Sequence, residues 1–545
     1  MILAKHTRSL ASALLGGFSA VSSVRRFFSV RRALFVSARL LLLSSVSLAL
    51  LARPCRAQSG FDDDRVMLQG FYWESSRHGN SHFPAYGQLR WYELVRGLAA
   101  TIRNARFDLV WLPPPSFSGS KEPNADHPSA GYNPQRYFSL DNSYGTAAEQ
   151  RALLVALLQA GVEPVADIVI NHRNGTSGWA DFQEPSWGTW AICKDDEAFS
   201  NSASGITGTP ANQRGDCEEQ TNYMGKTYAY SSFRDVAHTD QRVRDDIVRY
   251  LLELRSAGYR GWRYDMVHGY HGKWIACYNA ATKPTFSVGE FDWEAHNQQR
   301  GWIWETSTQP TAAGADHLRK SSNVFDFTTF YGLKAINDSR YALLYGFGNG
   351  IGMVADTTDG MPWRNRAVTF VENHDTGYRT EENGTPEAHH FFDSFTNGWQ
   401  VEQAYAQILT HPGVPTVYWK HYFDWGGSLQ TKIKALINAR KVAGVHSGSV
   451  VFTQSNAAAA GVYAALIEGS RGKLYVRIGG SDADWQPSFS NYKDYREYAQ
   501  GAGWKVWVGV PGNPAVRQAP LHAPFPVPAF HPATEVTLPN EPLCH

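Results

Sequence analysis

The sequence predicts an α/β fold: a (β/α)8 TIM barrel with a subdomain inserted after its third strand and an antiparallel β domain on its C-terminal side. Three features say so. Eight short apolar runs alternate with amphipathic stretches between Val66 and Trp419, the pattern of βαβ units and a parallel sheet. A polar stretch rich in Gly, Ser, Asn and Asp interrupts the alternation from Arg173 to about Arg234. After Val445 the runs become short and β-like without intervening helical periods. An open doubly wound sheet is the competitor, but nothing matches its Gly-rich phosphate turn.

Taken in order, residues 1–57 read as a signal peptide. Lys5, Arg8, Arg25, Arg26, Arg31, Arg32 and Arg39 precede an apolar stretch from Leu40 to Ala52, and Cys55-Arg56-Ala57 places small residues where a signal peptidase reads. That stretch is too short for a stable membrane span, so a secreted or periplasmic protein maturing near Gln58 is expected, with no membrane attachment after cleavage. The barrel is expected over 58–172 and 235–444, the subdomain over 173–234 and the β domain over 445–510. Its strands are predicted at Val66–Phe71, Leu109–Leu112, Val165–Ile170, Gly261–Tyr264, Thr285–Gly289, Val324–Phe327, Ala367–Glu372 and Val414–Trp419. Helices are predicted at Ala147–Ala160, Gln241–Ala257 and Glu402–Leu409, and C-terminal strands at Gly461–Ile467, Lys473–Ile478 and Lys505–Gly509. The Pro-rich stretch from 511 to 545 lacks periodicity and reads as a disordered tail.

A chain of 545 residues, 43% hydrophobic, can bury a large core. Its net charge of +1 gives no basic field for nucleic acid, and a neutral substrate and a monomer are expected. The 18 Trp and 26 Tyr suit packing first, and flat apolar ligands such as sugar rings second. Five Cys are too few for a disulfide scaffold. In an exported chain Cys193 and Cys217 could pair, or remain two free thiols; Cys277 reads as a buried thiol and Cys544 lies in the tail.

The chemistry gathers at strand ends, where this barrel builds its sites. The third strand runs into Asp167-Ile168-Val169-Ile170-Asn171-His172, and the fourth carries Arg263-Tyr264-Asp265. The fifth ends in Gly289-Glu290-Phe291-Asp292, and the seventh in Glu372-Asn373-His374-Asp375-Thr376. Arg263 and Asp265 are two apart on a strand and point to one side. An Asp beside a permanently charged guanidinium keeps a low pKa and stays ionised. Each run alone reads as a turn, a structural ion pair or solvated surface; four in this order and spacing do not.

Together the runs resemble the four signature regions of the α-amylase family, glycoside hydrolase family 13. Gln69-Gly70-Phe71-Tyr72-Trp73-Glu74, Gly131-Tyr132-Asn133-Pro134 and Val417-Tyr418-Trp419 extend the resemblance. It is nearest in look to bacterial maltotetraose-forming members, for example through Thr369 to Tyr378. The resemblance implies that Asp265 is the nucleophile, Glu290 the general acid/base and Asp375 the third carboxylate. His172 and His374 would hydrogen-bond the sugar at the cleaved bond, Tyr132 would stack on it, and Arg263 would hold Asp265. His268 could contact substrate or only line the loop. The resemblance also implies a Ca2+ ion, held by Asn171, Asp235 and the Gly269 carbonyl with Glu218 or Asp216. The acid-rich ligand loop of relatives becomes Cys217-Glu218-Glu219-Gln220 here, and relatives place a bridge at the point of Cys193 and Cys217.

These readings imply cleavage of the α-1,4-glucosidic bonds of starch and maltooligosaccharides with retention, which needs one ionised and one protonated carboxyl about 5 Å apart. Exo-release of one defined maltooligosaccharide is a second enzymatic reading. A non-catalytic carbohydrate-binding relative is the alternative from another class; such relatives lose a carboxylate, and Asp265, Glu290 and Asp375 are all present.

Overall fold

A computed structural model describes residues 61–539 apart from 119–125, 177–180, 194–232, 293–295, 347–349, 354–358, 378, 381–385, 388–397, 489–494 and 510–520. The proposed signal peptide, Asp216, Cys217, Glu218 and Cys544 lie outside the described residues. Among those described, no helix is long and apolar enough to cross a membrane.

Eight parallel strands close a barrel: β1 (Met67–Gln69), β2 (Leu109–Leu112), β3 (Glu163–Ile168), β4 (Gly261–Tyr264), β5 (Phe286–Gly289), β6 (Asn323–Phe325), β7 (Ala367–Phe370) and β8 (Val414–Tyr418). Each strand pairs with its neighbours in sequence, and β8 returns to β1. The predicted strands are all present, but several stop earlier than their apolar runs. Val169 and Ile170 are buried beyond the end of β3, so burial alone does not keep a residue in the sheet. At β6 the run fails for a different reason. Asp326 accepts the Thr329 N–H at 2.9 Å and caps a helix, so Phe327 opens that helix instead of ending the strand.

The outer layer comprises α1 (Trp91–Gly97), α2 (Ala99–Asn104), α3 (Ala147–Ala160), α4 (Gln241–Ala257), α5 (Gly272–Thr282), α6 (His296–Glu305), α7 (Gly314–Arg319), α8 (Phe327–Leu333), α9 (Gly398–Thr410) and α10 (Gly427–Ala443). The bounds of α3 and α4 are those the sequence predicts. Thr146 and Glu149 form a reciprocal capping box at the start of α3, and Gly161 ends it in the left-handed region at φ 77°. Strand alternation sorts β4 between the two layers. Trp262 and Tyr264 face the helices, bonded to Thr282 and Asn279, while Arg263 points into the barrel.

The insertion leaves through a two-stranded antiparallel stem in which His172 pairs with Asp235 and Arg173 with Arg234. Fully buried Arg173 fixes this stem. Its guanidinium donates to the carbonyls of Pro185 and Gln135 and lies over the rings of Tyr137, Phe182 and Trp187. Cys193 at the edge of the insertion is disulfide-bonded. So is Cys277 on α5, which corrects the expectation of a buried thiol there.

The C-terminal sheet has five antiparallel strands, β9 (Val450–Thr453), β10 (Tyr463–Glu468), β11 (Lys473–Ile478), β12 (Tyr495–Gly501) and β13 (Trp504–Gly509), in the order β9-β10-β11-β13-β12. The edge strands β9 and β12 were not predicted; half-exposed and polar, β12 carries little apolar alternation. Residues 521–539 depart from the expectation of disorder. Phe525 donates its N–H to Leu158 O at 2.9 Å, His531 to Ser256 Oγ at 2.8 Å, and Ala533 is buried. Proline removes periodicity without preventing a chain from docking as an irregular strap.

One packing contact at the end of β5 is tight enough to test. A Cβ at Gly289 would lie 2.2 Å from the indole of fully buried Trp302. Gly289→Ala is expected to cost about 1–3 kcal/mol, as overpacking does, and to lower activity by moving Glu290. Equilibrium denaturation unchanged within error would refute this.

Candidate active site

Parallel register builds the site. β3 and β4 pair Asp167 with Arg263, and β4 and β5 pair Tyr264 with Gly289. Asp167, Arg263, Asp265 and Glu290 therefore meet at the carboxyl end of the barrel. Arg263 is fully buried and bonds all three carboxylates: Nη1 to Asp167 Oδ1 at 2.7 Å and to Asp265 Oδ1 at 2.6 Å, Nη2 to Glu290 Oε1 at 2.8 Å. Glu290 also accepts the Met266 N–H at 3.1 Å. Met266 reaches that position at φ 45°, in the left-handed region that β-carbon-bearing residues seldom occupy.

One guanidinium against three carboxylates leaves the cluster short of positive charge. Burial pushes the Asp265 carboxyl well up; Arg263 opposes this, and Glu290 and Asp167 add to it. Asp167 is likewise pushed up to about 6, mainly by burial. This corrects the low pKa that the Arg263–Asp265 spacing suggested. The sequence shows the cation beside Asp265 but neither the desolvation nor the other two carboxylates sharing it.

Asp375 approaches from the end of β7. Its backbone N–H and that of Thr376 bond Asn373 Oδ1 at 2.8 and 3.0 Å, a local turn that presents the partly exposed carboxylate. His374 is held from both sides. The Gln69 amide donates to its Nδ1 at 2.9 Å, which places the proton on Nε2, 3.1 Å from Asp375 Oδ2. Tyr132 donates its hydroxyl to Asp167 Oδ2 at 2.8 Å and stacks on His374 with ring centroids 5.2 Å apart. Trp73 lies parallel to both rings, 5.9 and 6.1 Å away. These groups line a pocket of about 240 Å3 with Met266, Asp292 and Phe327.

All eight residues predicted for catalysis and sugar binding border this pocket or hold one that does. Two differ in detail. His172 Nε2 donates to Tyr132 O at 2.8 Å and its Nδ1 faces the Asn171 amide, so it supports the Tyr132 loop; burial lowers its pKa to about 4 and keeps it neutral. His268 donates from Nε2 to Asp292 O at 3.0 Å and stays neutral through burial, both lining the pocket and bracing the loop after β5. Sequence reasoning missed Asp167, Gln69 and Trp73 as site residues. Polar Asp167 and Gln69 inside buried strands were the available signal; Trp73 gave none beyond its motif.

Beside the pocket, the insertion's stem meets the loop after β4. Asn171 Oδ1 is buried with no hydrogen-bond partner. Gly269 comes so near that a Cβ would lie 1.8 Å from that oxygen, and Asp235 enters through the stem pairing. Asn171, Asp235 and Gly269 are thus neighbours in the fold. No group of three or more His, Cys, Asp or Glu with metal-holding geometry occurs among the described residues.

Comparison with known proteins decides the family. Residues 102–308 match the α-amylase catalytic domain and residues 442–508 the α-amylase C-terminal β-sheet domain. A probable α-amylase 2 of Arabidopsis thaliana is 31% identical over 82% of this chain and 94% of its own length. The chain belongs to the α-amylase family. Glucan 1,4-alpha-maltotetraohydrolases of Roseateles saccharophilus and Stutzerimonas stutzeri are each 30% identical over 76% of this chain and 68% of theirs. A solved cyclomaltodextrin glucanotransferase of three-domain ABC distribution shares the fold at TM-score 0.59 and 14% identity, over 82% of this chain and 99% of that one. This α-amylase family member is a glycoside hydrolase acting on starch-type glucans.

The raised carboxyls carry a pH signature. With its native pKa near 6 and an unfolded value near 4, Asp167 holds a proton in the folded state that the unfolded chain has lost. Its contribution to stability is therefore highest below pH 4 and falls as pH rises to 6. Asp167→Asn removes that slope, so the stability difference between variant and wild type should move in the variant's favour between pH 4.5 and 7. Urea titrations at the two pH values check this; a difference that moves the other way refutes it.

Proposed function

We propose that this enzyme is a secreted, calcium-dependent α-amylase that hydrolyses α-1,4-glucosidic bonds with retention by double displacement. The observation that carries the reading is the single Arg263 guanidinium spanning Asp265 and Glu290, with Asp375 across the same pocket. Sharing one guanidinium favours the short separation of retaining enzymes, about 5 Å, over the wider gap that inversion needs to admit a water.

In the first displacement, an Asp265 oxygen attacks the anomeric carbon. The bond to the departing glucan breaks as Glu290 delivers its proton to the glycosidic oxygen. In the second, Glu290 takes a proton from water, the water oxygen bonds to the anomeric carbon, and Asp265 leaves as carboxylate. Substrate has to displace Glu290 from Arg263 for the proton to reach the glycosidic oxygen. Arg263 then stays on Asp265 and Asp167, and Asp375 with His374 Nε2–H binds the hydroxyls of the distorted sugar. The parallel rings of Trp73 and Tyr132 give that sugar an apolar face to stack on.

Asn171, Asp235 and the Gly269 carbonyl fit a calcium ion, because a hard cation takes oxygen ligands and Asn171 Oδ1 has no other partner. Bound there with Asp216 or Glu218, calcium would tie the insertion to the loop that follows the nucleophile. A bridge from Cys193 to Cys217 would restrain the same insertion. Maturation near Gln58 fits export.

Asp265→Asn and Glu290→Gln are each expected to lower kcat on soluble starch by roughly three orders of magnitude or more while the fold persists. Near wild-type hydrolysis by either variant would sink the assignment. A product time-course on the same substrate separates α-amylase from exo-action: mixed oligosaccharides are expected from the outset, and one maltooligosaccharide alone would replace the endo reading with the exo one. For the metal, exhaustive chelation should lower Tm and activity together, and calcium should restore both. A melting curve indifferent to chelation would rule calcium out.

A further inference from the structure

At the opposite, amino-terminal end of the barrel lies a second cavity, of about 150 Å3. Its walls come from separate parts of the chain. Arg103 and Arg106 close α2, Asp64 and Asp108 precede β1 and β2, Lys441 ends α10, Arg471 lies in the β10–β11 turn, and Leu521 and His522 come from the docked tail.

Cationic side chains outnumber carboxylates in this lining. Arg103, Arg106, Lys441 and Arg471 face two carboxylates, and the neighbouring Asp63 and Glu163 already bind Arg65. Asp108 is committed on every side: to Lys441 Nζ at 2.5 Å, His522 Nε2 at 3.2 Å, Arg103 Nη1 at 3.6 Å and the Val66 N–H at 2.9 Å. Lys441 also donates to Asp64 O at 2.6 Å. Arg103, 5% exposed, has an Nε with no hydrogen-bond partner, and its Nη2 meets only the His522 carbonyl, at 3.3 Å. Burial and Arg106 both act against its positive charge. Arg106 itself sits at φ 70°, a backbone conformation unfavourable for a residue with a Cβ, which turns the chain back at the cavity wall.

A small cavity walled by three guanidinium groups and one ammonium, with one of those guanidiniums, Arg103, buried and its Nε unpartnered, offers the chemistry that recognises a tetrahedral oxyanion, since each planar fork donates two parallel bonds. We propose that this cavity is a binding site for a small free oxyanion of the phosphate or sulfate class, which ties the C-terminal strap to the barrel floor. Its volume admits one such ion with a few waters and excludes a nucleotide. The ion would supply the acceptor that Arg103 Nε lacks and offset the repulsion between Arg103 and Arg106. It would also bridge α2, the β10–β11 turn and the tail, segments far apart in sequence. The site lies at the end of the barrel remote from the catalytic carboxylates, so its effect is on stability and tail docking.

The test is calorimetry of the full mature protein in inorganic phosphate, with sulfate as a second probe and chloride at matched ionic strength as control. Phosphate and sulfate should raise Tm along a one-site saturation curve and slow proteolytic removal of the tail. Chloride should do neither. The double variant Arg106→Gln, Arg471→Gln should lose the shift while keeping its circular dichroism and its hydrolysis of short maltooligosaccharides. Should the double variant fail to fold, exposed Arg471→Gln alone should weaken apparent phosphate affinity about tenfold, the loss of one charge-assisted bond. An equal rise in chloride, or a variant with undiminished phosphate response, overturns the proposal.

Discussion

Everything at the active end of this barrel is arranged around one buried guanidinium. Arg263 has no contact with water and is matched by carboxylates from three adjacent strands. Removing it would leave three acids in a dry environment, and an uncompensated buried pair typically costs 3–5 kcal/mol. The same burial bears on the protons. Burial, aided by the neighbouring carboxylates, raises the carboxyls of Asp265 and Asp167 above the ordinary range even beside that guanidinium. Stability and proton inventory thus both depend on one buried cluster, a single cation with three acids.

Holding that ratio in place strains the neighbouring backbone. Met266 takes a left-handed conformation and so aims its N–H at Glu290. Gly289 has no room for a side chain against Trp302, and Gly269 none against Asn171. Met266 and Gly289 adjoin Asp265 and Glu290 in sequence, Gly269 lies in the loop after Asp265, and the packing around them leaves each one arrangement. Precision in this site comes from close backbone approach as much as from hydrogen bonds, which is why the rigid strand ends carry it.

The barrel, its eight strands and the assembled carboxylates were legible because they rest on short-range patterns: alternation along a strand and acids at strand ends. What escaped rests on pairing or burial. Asp167 becomes a partner of Arg263 only once β3 and β4 are in register. The upward shift of Asp265 depends on desolvation, which no spacing reveals. Strand β12 escaped because its face is polar, and the tail because its contacts use backbone groups and isolated apolar residues, as at Phe525 and Ala533. No spacing in the sequence marks Cys277 as bonded.

The near-neutral total charge hides an opposition between the two ends of the barrel. The carboxyl end carries an excess of acid around Arg263, and the amino end an excess of cations around Asp108. A neutral glucan gains nothing from a long-range field, so recognition at the acidic end has to come from contact. The parallel rings of Trp73, Tyr132 and His374 and the bonded edge of His374 offer surface of that kind. An anion would be repelled there and drawn to the other end. The polarity therefore sets two environments on one scaffold: carboxylates gathered around one cation where the pocket opens, and cations outnumbering carboxylates where barrel, β domain and tail meet.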